Sequence, residues 1–216
     1  MQIKLTLTEE MLGTKASDPE IFATFIASKA PDGDKRKEEL DNAENREQSG
    51  TTIFHTCSTM PGNNGLPVIG IYNYQIKGFF KDACGAMNRF DKALRGGLDK
   101  LPAYKAKIDS GIFIAPRFIE LRLPEGKTCG ICERPLRAET AQGPRVSLCR
   151  SQTVPIGTTL EFTITILIND LTPYIHQWLD YGKLRGLGQW RNSGKGIFEW
   201  QEINEYFSSY ETQKCF

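Results

Sequence analysis

No stretch of this chain approaches the roughly 18 consecutive apolar residues that a membrane-crossing helix needs, so no such helix is expected. The opening Met1-Gln-Ile-Lys-Leu5 lacks the charged-then-apolar order of a secretory signal, and a cytoplasmic location follows as the expectation. Cysteine is scarce: six in 216 residues are too few for a disulfide scaffold, and a reducing compartment would keep them as thiols or metal ligands. Net charge is only +1, which excludes a strongly basic protein overall. It still allows a basic face, because acids gather in Glu38–Glu47 while Arg and Lys gather elsewhere. Two familiar phosphate loops are also missing. No Gly-Lys-Ser/Thr run opens a helix, and no G-x-G-x-x-G follows a strand.

What is present points to an ordinary globular chain, 39% apolar and 25% charged, long enough to bury a core as one elaborated domain. Ile3 to Thr8 alternates with the period of a half-buried strand. Ser17 with Pro19 and Glu20 opens a helix to about Lys29, striped by Ile21, Phe22, Phe25 and Ile26. Residues 31–65 read as an exposed insertion, highly charged from 31 to 50, then a short strand at Ile53–His55 and the turn-rich Pro61-Gly-Asn-Asn-Gly65.

A helix is predicted over 74–90, where Ile76, Phe79, Phe80, Ala83, Cys84, Met87 and Phe90 share one face. Lys77 and Gly78 are expected on its first turn, where a cation beside free N–H groups makes an anion site. Gly96-Gly97 begins a basic connection, and strands follow at 112–114 and 118–123. Residues 124–152 read as an insertion built on a hairpin of 134–140 and 145–150, whose Arg134, Arg137, Arg145 and Arg150 suit either a projection along a polyanion or a plain exposed ribbon. The best strand is 158–167, where Leu160, Phe162, Ile164 and Ile166 alternate with Thr and Glu. Asp170 or Thr172 caps a helix bearing Ile175, Trp178 and Leu179, and a strand at 197–200 precedes the tail 202–216.

Between that helix and that strand lies Leu184-Arg-Gly-Leu-Gly-Gln-Trp-Arg-Asn-Ser-Gly-Lys-Gly-Ile-Phe198. Gly186, Gly188, Gly194 and Gly196 interleave with Arg185, Arg191 and Lys195 around Trp190. Glycines let backbone N–H groups approach a ligand and the cations match phosphate, so the stretch reads as a phosphate-facing loop or as a plain glycine-rich connection.

In chain order the long elements read strand, helix, strand, strand, helix, strand, the βαββαβ order of an α+β, ferredoxin-like (RRM-like) core with large insertions. Three motifs add a family. Tyr74-Gln-Ile-Lys-Gly-Phe-Phe-Lys81 resembles the Ser-x-Leu-Lys-Gly-x-Leu-Arg helix start of the repeat-associated mysterious proteins, the RAMP superfamily of CRISPR backbone subunits and processing nucleases. Thr153-Val-Pro-Ile-Gly-Thr-Thr-Leu-Glu-Phe162 is similar to that family's Val-x-Pro-Gly-Thr-x-Phe strand entry. Leu187 to Phe198 resembles its Gly-Gly-x-x-x-x-Gly-x-Gly-x-Phe loop, although Gly-Leu-Gly replaces Gly-Gly, and Asn73-Tyr74 replaces the usual Gly-Ser.

The resemblance implies a single RAMP-like domain over 1–216 that holds an RNA backbone in a basic groove, with Lys77, Gly78, Lys81, Arg185, Gly188, Trp190, Arg191, Gly194, Lys195 and Gly196 along it. It implies RNA, other CRISPR-type subunits and head-to-tail copies as partners, with no membrane. Arg134, Arg137 and Arg145 would sit on the hairpin, acting as a thumb. A nucleotide-binding protein that uses the same loop is the alternative, and an endoribonuclease a further one. For catalysis the candidates are His55, His176 and, by the family's metal-assisted cleavage, Asp18 or Asp32. No cofactor is expected, although Cys129 and Cys132 have the spacing of half a zinc site that Cys149 could join, with Cys57 or His55 as a fourth ligand.

Overall fold

A computed structural model describes residues 1–17, 51–57, 67–140 and 143–203. The expected helix over 17–29, Asp18, Asp32, the Pro61–Gly65 turn and most of the 202–216 tail lie outside them.

The alternation in Ile3, Leu5 and Leu7 makes β1 (Gln2–Leu7), with those three side chains buried. Two short strands, β2 (Met11–Leu12) and β3 (Lys15–Ala16), follow directly. The expected strand around residue 54 is two strands, β4 (Thr51–Ile53) and β5 (His55–Cys57), parted at Phe54. Next, β6 (Val68–Tyr72) runs straight into α1 (Asn73–Met87).

Helix α1 has no side-chain N-cap, an absence that costs about 1 kcal/mol. Its start is set instead by the backbone of residues 114–117: the Asn73 amide donates to the Arg117 carbonyl at 2.8 Å, and the Asn73 carboxamide to the Ile114 carbonyl at 2.8 Å. The buried stripe of Ile76, Phe79, Phe80, Ala83, Cys84 and Met87 outweighs the missing cap, since each fully buried large apolar side chain contributes roughly 1.5–3 kcal/mol. A second helix, α2 (Tyr104–Gly111), occupies what reads as a basic connection. It leads into β7 (Ile112–Ala115) and β8 (Phe118–Glu120).

The arginine hairpin is longer than its sequence suggests: β9 (Gly130–Thr140) pairs with β10 (Gly143–Val154). It is also rooted, because β10 pairs with β2 at Thr153 and Val154 and in parallel with β4 at Arg150 and Ser151. The strong strand is β11 (Thr159–Ile166), and α3 (Thr172–Arg185) follows a 3-10 turn. Leu171 rather than Asp170 or Thr172 stands at the cap, without a side-chain bond. The last strand is β12 (Phe198–Glu202).

The main sheet is antiparallel, in the order β12-β1-β11-β7. Its apolar face, carrying Leu5, Phe162, Ile114 and Phe198, joins Phe80 of α1 and Trp178 of α3 in one core. A second sheet orders β2-β10-β4-β3, and a third β5-β6-β8. The architecture is therefore mixed α+β, with, among the described residues, two antiparallel sheets, one mixed sheet and three α-helices. None of these helices is long and apolar enough to cross a membrane.

Candidate nucleic-acid interface

The glycine-rich segment after α3 is a closed loop whose ends hydrogen-bond to each other. The Leu187 amide donates to the Gly196 carbonyl at 2.8 Å, and the Gly196 amide to the Glu10 carbonyl at 2.8 Å. Two glycines are needed for this path. At Gly196 (φ 74°) a Cβ would fall 1.9 Å from the Leu187 carbonyl oxygen, and at Gly188 (φ 79°) 2.8 Å from that of Leu12. The glycines thus first serve close backbone packing, which docks the loop on the segment just after β1. Between the docked ends, Trp190 takes a left-handed conformation (φ 55°) and Arg191–Ser193 form a 3-10 turn that ends at Gly194.

The loop's cations are held by carboxylates. The Arg191 guanidinium donates to Asp82 Oδ2 at 2.8 Å, and Arg185 approaches the same oxygen at 3.5 Å while also reaching Asn192. Lys195 pairs with Glu10 at 3.1 Å. On another face of α1, Lys81 pairs with Asp109 at 2.6 Å, and Lys77 donates to the Asp109 carbonyl at 3.2 Å and lies 4.9 Å from the Phe113 ring centroid. Burial lowers the Lys77 pKa, and neighbouring Lys81 lowers it further against the pull of Asp109.

Two rows on α1, each spaced four residues apart, therefore face different neighbours: Lys77 and Lys81 toward α2, Gly78 and Asp82 toward the glycine loop. Because α1 begins at Asn73, Lys77 and Gly78 stand in its second turn. Their amides lie within the helical ladder, so the free N–H groups of a helix N-terminus are not available at these two residues.

Arg134 links the hairpin root to the loop. Its guanidinium stacks 4.9 Å from the Trp190 centroid and donates through Nη2 to Gln189 Oε1 at 3.1 Å. The residue is only 8% exposed, and its Nε and Nη1 have no hydrogen-bond partner among the described residues. Trp190, 40% exposed, therefore has one face covered by a cation. The side chains of Arg137 and Arg145 lie outside the described residues.

Where loop, helix and second sheet meet there is a cleft of about 260 Å³. The loop contributes Leu187, Gly188 and Arg191, and α1 contributes Tyr74, Gln75, Gly78 and Phe79. Met11, Leu12, Thr14 and Lys15 close one side, and Phe54, His55 and Ile71 another. No Asp or Glu is among the described residues lining it. Lys15 is buried, and burial lowers its pKa. His55 is 5% exposed, and burial followed by the charge of Lys15 lowers its pKa to about 3, so the ring is neutral near neutral pH.

His176 lies elsewhere, on α3, stacked 5.4 Å from Trp200 with Nε2 3.8 Å from Glu202. Cys132 stands across from Ser151, and Cys149 across from Arg134, which places both cysteines on one face of the hairpin, diagonal to each other. Cys129 precedes that strand, and among the described residues no group of three or more His, Cys, Asp or Glu is disposed to hold a metal.

Local spacing does not mark Lys15, Phe54, Gln75, Asp82 or Glu10 as members of this region, because contacts distant in the chain bring them here. Only Asp82 left a signal, an acid placed one residue from Lys81 on the polar side of a strong helical stripe.

No protein-family model matches the chain, and no curated protein matches it. Among solved structures, the chain is similar to one from the cryo-EM structure of the type III-B Cmr-beta complex bound to cognate target RNA, at 12% identity and a TM-score of 0.51. That match covers 94% of this chain and 58% of the other, so this chain spans little more than half its length. A chain of a type IV-B CRISPR complex aligns at 10% identity and a TM-score of 0.46, covering 94% of this chain and 90% of that one. At such identities the likeness to the Cmr-beta chain is one of fold.

Proposed function

We propose that this protein is a non-catalytic, RAMP-like RNA-binding subunit, or a mimic of one, that holds single-stranded RNA across the glycine loop, the Gly78 row of α1 and the root of the arginine hairpin. The observation that carries this reading is the convergence of the glycine loop and the Gly78 row of α1 on one cleft that bears Lys15 and Arg191 and has no carboxylate in its described lining, with Arg134 of the hairpin root joined to the loop by stacking on Trp190. The fold likeness to a chain of an RNA-bound CRISPR complex supports it. So does the strand order β12-β1-β11-β7, with α1 leading from β1 toward β7 and α3 from β11 to β12, which is what a ferredoxin-like βαββαβ core requires. Its partners would be RNA and other subunits of such a complex, or copies of itself stacked head to tail, in the cytoplasm.

Such binding rests on phosphate contacts, so affinity falls steeply as salt rises, with a slope of about −0.7 per phosphate neutralised on a single strand. Fluorescence anisotropy with labelled RNA of increasing length is expected to show affinity growing with length. The double variant Arg134→Ala/Arg191→Ala is expected to weaken binding by about tenfold or more and to flatten the salt slope by about 1.4, two contacts' worth. Unchanged binding in that variant, or no dependence on salt in the parent, would remove the groove reading.

A further inference from the structure

Among the glycines whose surroundings are described, Gly78 alone has neither a positive φ nor a neighbour that a side chain would strike: nothing lies within 4 Å of the position its Cβ would take. It sits in the interior of α1, where glycine weakens a helix, and it is exposed at the cleft. The fold does not require this glycine, whereas an object lying against the bare backbone would.

The cleft indicates what that object is. Its floor is apolar, made by Met11, Phe54, Ile71, Phe79 and Leu187, all of them buried. Its rim is polar and cationic, with Arg191 on the loop and the Gln75 carboxamide, which donates to the Thr14 hydroxyl at 2.9 Å. An inorganic anion would leave the floor unfilled, and a wholly apolar ligand would set no polar group against the Arg191 and Gln75 rim. A nucleotide has both a flat apolar face and a phosphate. The volume of about 260 Å³ lies just below the range of about 300–1,000 Å³ usual for small-ligand sites, which suits one base with part of its sugar and excludes a base pair.

We propose that the cleft seats one unpaired nucleotide of the bound RNA, its base passing over Gly78 onto the apolar floor while its phosphate stays at the rim beside Arg191. The assignment rests on the RNA-binding reading above and adds to it a place where the strand is held through a base and not only through its backbone. Stacking of this kind tolerates any base, because each presents a π face.

The test uses the full chain with two oligomers of about 12 nucleotides, one of intact single-stranded RNA and one in which every base is replaced by an abasic ribose. Intact RNA is expected to bind about tenfold or more tightly than the abasic oligomer at the same salt, with the same salt slope. Gly78→Leu fills the opening, and it leaves the helix intact because leucine is a better helix former than glycine. That variant is expected to bring intact RNA down toward the abasic level, weakening intact RNA by a much larger factor than the abasic oligomer. The inference is overturned if both oligomers bind the parent alike, if Gly78→Leu weakens both equally, or if intact RNA binds the variant undiminished. It is also overturned if free nucleoside monophosphates fill the cleft while intact and abasic oligomers bind alike, which assigns the site to a free nucleotide. If neither oligomer binds the parent at low salt, the RNA-binding reading itself fails, an outcome distinct from the others.

Discussion

His55 is the residue whose chemistry is most altered by its surroundings. Buried beside Lys15, its ring keeps a pKa of about 3 against an ordinary 6.5, so an unfolded chain takes up a proton between those values that the folded chain refuses. Stability from this residue is complete above pH 6.5 and is lost as pH falls from there toward 3. Between pH 7.5 and pH 5 the loss is about 2 kcal/mol, before most carboxylates begin to protonate. Denaturant unfolding at those two pH values should show it, and His55→Phe should reduce the difference. An identical pH response in that variant would place the proton uptake elsewhere. The same depressed pKa makes His55 a poor general base near neutral pH.

At the scale of the elements, α1 and α3 each contain an interior glycine with an opposite role. At Gly182 of α3 a Cβ would fall 2.1 Å from the Phe198 ring of β12, so this glycine sets how closely helix and strand pack. At Gly78 of α1 nothing is in the way. Gly182→Ala is therefore expected to destabilise the protein by about 1–3 kcal/mol through overpacking, and Gly78→Ala to stabilise it by about 1 kcal/mol through helix propensity. Thermal unfolding of the two single variants measures both, and a shift of the same sign in each would contradict this division. The periodic elements were legible in the sequence: the alternation in β1 and β11 and the apolar stripes of α1 and α3 are local patterns that packing reinforced. Others were not. The α2 helix is eight residues long with two buried positions, and β6 is a nearly continuous apolar run that adjoins a helix, so neither presents a clear period. Strands β2 and β3 are two residues each and exist through their partners.

Across the whole molecule, acids far away in the chain pair with the loop's cations, and on the proposed RNA-binding reading this pairing sets how strongly a polyanion would be held. Asp82 of α1 neutralises Arg185 and Arg191, which follow it by 103 and 109 residues, and Glu10 pairs with Lys195 across 185. These acids position the loop cations and also compete with phosphate for them. Asp82→Asn is expected to tighten RNA binding and to steepen its salt slope by about 0.7 for each arginine that turns to a phosphate. A slope equal to the parent's would show the pairs to be purely structural. The α+β order, the core faces and the glycine loop are written in the spacing of neighbouring residues, so they follow from the sequence alone. It also carried the motif order that resembles a CRISPR-type family. The pairing of the loop's cations, the stacking of Arg134 on Trp190, the different faces served by Lys77 and Arg191, and the opening of Gly78 onto a cleft emerge only in the folded chain. These depend on contacts between residues far apart in the chain, and such contacts are set by how whole elements pack.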